Sequence, residues 1–445
     1  MQKSAERLPA RVALAEPIAQ RLRALASKKK PVRFSHVTAA AQSLLVATLA
    51  RELPRPPRVI CPTVRVQESL YESLLNWKPD ALFLPEAEFA AVENILPDPE
   101  IAAERLALLS RVSREDGPHL IVATRASLTQ PAPKKSALAS SALRLKRGTR
   151  QPMESLLSAL SDAGYERVAQ VTTRGQFAVR GGILDVYSWQ AQLPVRAEFF
   201  DDEIESLREF DLDTQTSVHN LNGVDLLLSA AEETGGEVLD YIARDHLRIA
   251  IEPEAEDDAQ VLISEGWLEE GPEDFAGAFQ DSDIAEFSMG DFLLVEAKRA
   301  QFGARLAEWR AEQKEIVIYF QTEGEIERFR EIMGAAALTD VGLTEGTLAR
   351  GFYFPAGQLV VLSAAELFGR ATTHGRRRLQ RAEQQARHRA QIDFSELTED
   401  DLVVHLEHGV GRFLELMEVP AVGGGMQEVL ALEFADEARL YVPLE

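Results

Sequence analysis

Apolar positions in the first 135 residues follow two alternating patterns. Helical spacing of apolar residues predicts helices over 39–50, 64–77 and 100–112, and short apolar runs predict strands at 32–34, 59–61, 82–84 and 120–123. Repeated strand–helix units are typical of a parallel sheet with helices on both faces. We therefore expect a parallel α/β lobe over 1–135, ended by the Pro- and Lys-containing stretch at 130–135.

Residues 143–228 show a different pattern, in which apolar residues alternate with polar ones. A helix is predicted over 152–163, and the predicted strands that follow it are 166–172, 176–180, 182–188, 195–200 and 203–211. Turn residues such as Gly181-Gly182 and Asp201-Asp202 separate these strands. The pattern predicts an α+β domain, in which one helix packs on an antiparallel meander.

The rest of the chain divides into four further segments. We expect a segment with an acidic insert at 229–300, a small α/β domain at 301–368, a basic linker helix at 369–396 and a small β-domain at 397–445. The sequence stops directly after a predicted strand, which indicates that this β-domain is truncated. The predicted fold class is therefore α/β multidomain.

Composition narrows the classes of function. The chain has 445 residues and one cysteine, Cys61, which excludes an intramolecular disulfide and is typical of a reducing cytoplasm. No apolar run approaches about 20 residues, so we expect no membrane span. With a net charge of −23 the chain is expected to bind nucleic acid poorly without sequence specificity, because binding to phosphates needs Lys and Arg. We expect a cytoplasmic monomer.

Charge is distributed unevenly along the chain. Residues 252–286 contain no Lys or Arg, whereas residues 370–389 are rich in Arg. Both segments are consistent with solvated surface. Alternatively, the basic run is a linker or helix near DNA or another acidic partner, and the sequence leaves both interpretations open.

An α/β lobe raises the question of nucleotide binding. The chain has no glycine before Gly117, so no glycine-rich phosphate-binding loop follows the first strand. The segment 37–43 resembles the P-loop of the UvrB excision-repair helicases, which implies a degenerate RecA-like lobe. Where that loop has two glycines, a lysine and a hydroxyl residue, this chain has Ala39, Ala41, Gln42 and Ser43. We therefore expect no cofactor in this chain, neither ATP nor magnesium.

Two adjacent phenylalanines, Phe199 and Phe200, follow an alternating strand pattern. Neighbouring residues of a strand point to opposite faces, so both rings cannot enter the same core. We expect Phe200 on the outer face beside Arg180 and Arg196, a composition typical of binding hot spots. The alternative is that the two arginines form surface salt bridges with Glu198, Asp201 or Glu203.

The segments 177–187 and 196–208, with their R-G-G-I-L-D and E-F-F-D-D-E-I-E-S-L-R motifs, carry a resemblance. They are similar to the UvrB-homology domain shared by UvrB and the transcription-repair coupling factors. In that family the domain binds UvrA, the damage-recognition protein. The resemblance implies that the UvrA-contacting positions are Arg180, Arg196 and Phe200.

A second block, over 403–413 and 430–442, resembles the RNA polymerase interaction domain of the coupling factors, a Tudor-like or CarD-like β-domain. UvrB lacks this module. The resemblance implies that the block binds the polymerase β subunit through a strand edge and an apolar residue near Val419, with Arg412 and Phe413 beside it.

The cluster His405, Glu407 and His408 within this block offers a metal site as an alternative. Two histidines without a cysteine or a clear third ligand are a weak metal signal, so we expect no metal. We interpret the segment as a strand and a tight hairpin whose turn is supplied by Gly409 and Gly411.

The resemblance extends over most of the chain and implies a bridging function. The chain would bind UvrA and the RNA polymerase β subunit, and so couple stalled transcription to nucleotide excision repair. In the family an ATP-dependent motor makes most DNA contacts; we expect it to follow Glu445, and we expect no enzymatic activity in this chain. Two alternatives stay open, an ATP-dependent helicase in its own right and a stand-alone CarD-type regulator that binds polymerase.

Overall fold

The computed structural model describes the chain with gaps. The described residues are 2–26, 31–86, 99–114, 119–140, 142–212, 214–228, 234–242, 245–254, 257–266, 268, 279–282, 292, 295–368, 402–405, 409–420, 426–433 and 439–443. They belong to two compact units, Met1–Gly375 and Arg376–Glu445. The predicted basic linker helix at 369–396 lies outside the described residues.

The helices of the first unit are, in chain order, α1 Gln2–Leu14, α2 Glu16–Ala26, α3 Ala39–Glu52, α4 Val64–Leu74, α5 Pro99–Arg114, α6 Arg125–Thr129, α7 Lys135–Ser140, α8 Met153–Asp162, α9 Glu296–Ala311, α10 Glu323–Met333 and α11 Ala364–Leu367. Short 3₁₀ turns occur at Val238–Asp240, Ala335–Leu338 and Pro355–Gly357. The helices predicted over 39–50, 64–77 and 100–112 are confirmed as α3, α4 and α5.

The strands of the first unit are β1 Val32–Phe34, β2 Pro57–Cys61, β3 Leu82–Phe83, β4 Ile121–Thr124, β5 Pro131–Pro133, β6 Ala142–Lys146, β7 Glu166–Arg167, β8 Gln176–Arg180, β9 Ile183–Tyr187, β10 Val195–Phe200, β11 Glu203–Phe210, β12 Ser217–Asn220, β13 Gly223–Leu227, β14 Thr234–Glu237, β15 Leu247–Ile251, β16 Val261–Ile263, β17 Gln280–Asp281, β18 Glu315–Phe320, β19 Val341–Glu345, β20 Phe352–Phe354 and β21 Leu359–Ser363. Those of the second unit are β22 Leu402–His405, β23 Gly409–Pro420, β24 Met426–Glu433 and β25 Arg439–Pro443.

The first sheet is parallel and six-stranded, in the order β1-β16-β15-β2-β4-β3. Apolar side chains are buried on both of its faces, as expected for a parallel sheet. Helix α3 is buried on all sides from Ala40 to Leu49, which is typical of a helix inside a core. Helix α1, which the apolar pattern did not predict, packs against α3.

This sheet takes two strands from a distant part of the chain. Strands β15 and β16 lie within 229–300, which the sequence pattern assigned to a segment separate from the lobe at 1–135. The stretch taken as the end of that lobe instead contains β5, which pairs with β14. The sheet is thus completed by strands that follow the antiparallel domain. The sequence pattern did not predict this, because parallel pairing between distant strands leaves no mark on local periodicity.

The second sheet is the one predicted as a meander, and its order is β12-β11-β10-β9-β8-β7. Its strands pair antiparallel except for the short β7, which runs parallel to β8. Helix α8 and the two-stranded β6–β13 ribbon contribute Leu156, Leu160, Leu145 and Leu226 to the core on one face. The opposite face carries a smaller cluster around Tyr187 and Phe210.

A small α/β element completes the first unit. Its sheet has the order β17-β20-β21-β18-β19, with α9, α10 and α11 providing apolar side chains on one side. The other side shares a core with the first lobe through residues such as Tyr319, which meets Trp77 edge to face. The amide of Asn76 donates to the Thr347 carbonyl at 2.7 Å and accepts from the Thr347 N–H at 3.0 Å. These contacts pack the two α/β elements together.

The second unit is a four-stranded antiparallel sheet in the order β22-β23-β24-β25. The hairpin between β22 and β23 closes at the pair His405 and Gly409. Gly411 pairs with Val403 inside β23, so the prediction that Gly411 forms part of the turn is wrong.

Candidate protein-interaction site

The outer face of the antiparallel sheet follows from the strand register. Along β10, Val195 and Ala197 are buried in the core, so Arg196, Glu198 and Phe200 alternate to the other face. The extra residue of the bulge opposite Glu198/Phe199 is in β11, and β10 itself keeps its alternation. Arg196 pairs across the sheet with Asp185, which places that carboxylate on the outer face as well.

Phe200 lies at the end of β10 with 76% of its surface exposed. It precedes the hairpin turn at Asp201, whose φ of 57° is left-handed. The neighbouring turn needs its glycines: Gly181 has φ 61°, and a Cβ on Gly182 would lie 2.8 Å from the Phe199 carbonyl oxygen. The R-G-G and F-F-D-D motifs therefore build two adjacent turns that leave this aromatic ring at the surface.

Arg196 is held by a bidentate ion pair. Its Nε donates to Asp185 Oδ1 at 2.6 Å, and its Nη2 donates to Asp185 Oδ2 at 2.8 Å. The guanidinium carbon lies 4.4 Å from the centre of the Phe210 ring. Hydrogen bonding to Asp185 raises the pKa of Arg196, so the charge persists at all accessible pH values.

Arg180 is held much more loosely. Its side chain is exposed, and its Nη2 donates to the Ala169 carbonyl at 2.9 Å. In the register it stands opposite Ile183, which stands opposite Glu198. The carboxylate of Glu198 accepts from Ser206 at 2.7 Å and from Arg208. The open part of the face thus combines Arg180, Ile183, Glu198 and Phe200.

The salt bridges that the sequence offered as an alternative do not form. Neither Arg180 nor Arg196 pairs with Glu198, Asp201 or Glu203 in the described part of the chain. The partner of Arg196 is Asp185, a residue that sequence reasoning missed. The signal was present in the R-G-G-I-L-D motif, but it becomes visible only when β9 and β10 are aligned in register.

The start of α3 is the place where a phosphate-binding loop would lie. Gln42, at the lysine position, is buried and donates from Nε2 to Glu252 Oε1 at 2.8 Å. The same carboxylate accepts from Ser264 Oγ at 2.6 Å and from the Glu265 N–H at 2.7 Å. Ser43 is fully buried in the core helix.

The first turn of α3 is also occupied by carboxylates of this chain. The Ala39 N–H donates to Glu265 Oε1 at 2.6 Å, and Thr38 Oγ1 donates to Asp281 Oδ1 at 2.8 Å. Amides at a helix N-terminus favour anions, and here a side-chain carboxylate already fills that role. A nucleotide phosphate would meet three negative charges, those of Glu252, Glu265 and Asp281.

The second unit places its three predicted contact residues differently. Val419 lies in β23 opposite Gln427, in a stretch of β23 that extends past the end of β22. Arg412 is exposed. Phe413 is only 4% exposed, so its ring is buried within the described structure, and its role in polymerase binding stays a prediction.

Other chemistry is limited within the parts of the chain that the structure describes. No group of three or more His, Cys, Asp or Glu residues there could hold a metal ion, and Glu407 and His408 lie outside those parts. Burial raises the pKa of the Cys61 thiol, which is typical of a core cysteine rather than a nucleophile. None of the helices described is long and apolar enough to cross a membrane.

Two family models match parts of the chain. The UvrB interaction domain matches residues 143–231, which include the antiparallel sheet and its outer face. The CarD-like/TRCF RID domain matches residues 397–445, which include the four-stranded sheet.

Relatives of one name match most of the chain. The transcription-repair-coupling factor of Mycobacterium tuberculosis is 27% identical over 98% of this chain and 45% of its own length. Those of Escherichia coli and Bacillus subtilis are 25% and 24% identical, each over 92% of this chain and 44% of their own length. The chain is therefore a relative of the transcription-repair-coupling factors over nearly all of its own length, and it corresponds to somewhat less than half of theirs.

Proposed function

We propose that this chain is the N-terminal part of a transcription-repair-coupling factor and acts as a bridge between two proteins. It binds UvrA through the outer face of the antiparallel sheet and the RNA polymerase β subunit through the four-stranded sheet. In this proposal the first lobe is a degenerate RecA-like lobe that serves as a scaffold, and the 397–445 sheet is a CarD-like domain. These 445 residues contribute binding rather than catalysis.

The exposed Phe200 ring is the observation that carries the UvrA assignment. A phenylalanine with 76% of its surface in water has no role in the core of its own domain. Burying such a ring in a partner removes apolar surface from water, and aromatic and arginine side chains are frequent interface anchors. The match to the UvrB interaction domain covers this residue and both arginines.

Titration calorimetry of the chain with UvrA tests this assignment. We expect binding without ATP, DNA or polymerase, and we expect Phe200→Ala to weaken it by about 2 kcal/mol. Val218→Ala is the matched control, because Val218 is a partly exposed apolar residue at the far edge of the same sheet. Equal binding by wild type and Phe200→Ala would contradict the proposed site.

An open strand edge supports the polymerase assignment. Strand β22 pairs with β23 only from Gly409 to Arg412, whereas β24 pairs with β23 as far as Pro420. In the described residues, the second half of β23 therefore has a strand neighbour on one side only. An unpaired strand edge can accept a strand from a partner, and Val419 lies in this stretch.

A charge placed at Val419 tests the polymerase assignment. Val419→Arg should weaken binding to the polymerase β subunit by roughly several kcal/mol, because an apolar contact would then bury an unpaired charge. Glu418→Arg introduces the same side chain at the neighbouring position of β23, for which strand alternation predicts the opposite face, and it serves as the control. If pull-down with β is equally strong for wild type and Val419→Arg, the contact is assigned to the wrong residue.

A further inference from the structure

Arg196 is fixed on three sides. Two of its nitrogens donate to Asp185 at 2.6 and 2.8 Å, and Nη2 also donates to Gln215 Oε1 at 3.3 Å. One face of the guanidinium covers the Phe210 ring at 4.4 Å. Only 16% of the Arg196 side chain is exposed, whereas the Asp185 side chain is 3% exposed.

These contacts leave one edge of the guanidinium available. A guanidinium has donors on Nε, Nη1 and Nη2, and those on Nε and Nη2 are used by Asp185 and Gln215. Nη1 forms no hydrogen bond to another residue of the described chain, and it is not buried. The exposed part of the side chain therefore includes the Nη1 edge.

We propose that Asp185 is a positioning residue for partner binding, which acts by holding the Nη1 edge of Arg196 toward the partner on the strand face that also carries the exposed Phe200 ring. This inference rests on the proposed function, the binding of UvrA by this face. Asp185 is itself 2% exposed, so it does not touch the partner. Asp185 restricts the long Arg196 side chain to one orientation before the partner binds, which lowers the entropic cost of binding.

The arrangement also divides the work between the two arginines. The charge of Arg196 is neutralised by Asp185, so Arg196 acts as a directed hydrogen-bond donor. Arg180 forms no ion pair within the described residues and provides the uncompensated positive charge. The partner surface that fits this patch has a carbonyl or carboxylate oxygen opposite Nη1 and an apolar recess for Phe200.

A double-mutant cycle on the 445-residue chain tests the positioning role, with UvrA binding measured by calorimetry. Asp185→Asn keeps the shape of the side chain and removes its charge and one acceptor, and we expect it to weaken binding roughly tenfold. Arg196→Lys keeps the positive charge beside Asp185 but loses the Nη1 edge, and we expect a similar loss. The Asp185→Asn/Arg196→Lys double variant should bind no more weakly than either single variant.

A merely structural role for Asp185 gives a different result. In that case Asp185→Asn lowers the melting temperature, but the folded protein binds UvrA like wild type, and the proposal is overturned. If Phe200→Ala weakens binding and Asp185→Asn does not, the positioning role alone fails and the proposed function stands. If neither variant changes binding, this face is not the UvrA site and both proposals fail.

A second variant covers the case in which Asp185→Asn does not fold. Gln215→Ala removes the half-exposed acceptor for Nη2 without uncovering a buried charge. We expect it to weaken UvrA binding by roughly twofold to threefold with an unchanged circular dichroism spectrum. Unchanged binding by folded Gln215→Ala and Arg196→Lys variants would then overturn the proposal, because the second variant removes the Nη1 edge itself.

Discussion

The start of α3 and the outer face of the antiparallel sheet both carry groups that commonly bind ligands, but they are built in opposite ways. At α3 the chain supplies its own carboxylates: Glu252 accepts a hydrogen bond from Gln42, and Glu265 accepts one from the Ala39 N–H. On the outer face Phe200 and Arg180 are exposed. A position that binds ligands in other α/β folds is therefore satisfied internally here, whereas an ordinary sheet surface keeps unused binding groups. We expect substitutions in the first region to change stability without binding, and in the second to change binding without stability.

Arg196 should be the exception on the outer face, because its substitution should change stability as well as binding. Arg196→Ala removes the partner of the buried Asp185 carboxylate, and we expect the free energy of unfolding to fall by about 3 kcal/mol. Urea unfolding followed by circular dichroism measures this loss. If Arg196→Ala is as stable as wild type, Asp185 does not depend on the ion pair, and the arginine is an ordinary surface contact.

Glu252 tests the first region. Glu252→Ala removes the carboxylate that accepts from the buried side chains of Gln42 and Ser264, and we expect the free energy of unfolding to fall by about 2 kcal/mol. Glu16→Ala is the control, because it breaks an exposed ion pair with Arg23 that should contribute less than about 1 kcal/mol. Affinity for UvrA should be the same for wild type, Glu252→Ala and Glu16→Ala. A change in affinity for Glu252→Ala would show that the two regions are not independent.

The sequence alone predicted the local features of both regions. The strand over 195–200 was predicted with its observed bounds, since alternation and a following Asp-Asp turn define it. The exposure of Phe200 followed from two adjacent phenylalanines, which cannot share one face. Ala39, Ala41 and Gln42 stand where a P-loop has two glycines and a lysine, and the expectation that nucleotide does not bind at α3 stays a prediction.

What could not be predicted depends on contacts between distant residues. Glu252 and Glu265 are more than two hundred residues from α3, and they reach it because β15 and β16 join the first sheet. The pairing of Arg196 with Asp185 requires the register between β9 and β10. The burial of Phe413 likewise depends on how a sheet packs, and the pattern of a single strand leaves both of its faces possible.

Arg180 tests the second region at smaller magnitude. Arg180→Ala should weaken UvrA binding by about 1 kcal/mol and leave the free energy of unfolding within about 0.5 kcal/mol of wild type, because its side chain is exposed. Combined with Phe200→Ala, the loss of affinity should be less than the sum of the two, since both side chains belong to one patch. Calorimetry and urea unfolding of the three variants check this, and full additivity would mean that the two residues contact separate parts of UvrA.

The smallest expected effect is that of ATP, for which we expect no binding at all. Wild type lacks the glycines and the lysine of a P-loop, and calorimetry with ATP and magnesium should give no heat of binding. Restoring the two glycines and the lysine should not be enough to create a nucleotide site. In the Ala39→Gly/Ala41→Gly/Gln42→Lys variant the carboxylates of Glu265 and Asp281 still accept the bonds that a phosphate would need, and their charges repel it. Saturable ATP binding by wild type would show that the start of α3 is an open site, and binding by the triple variant alone would show that the missing residues, and not the carboxylates, keep nucleotide out.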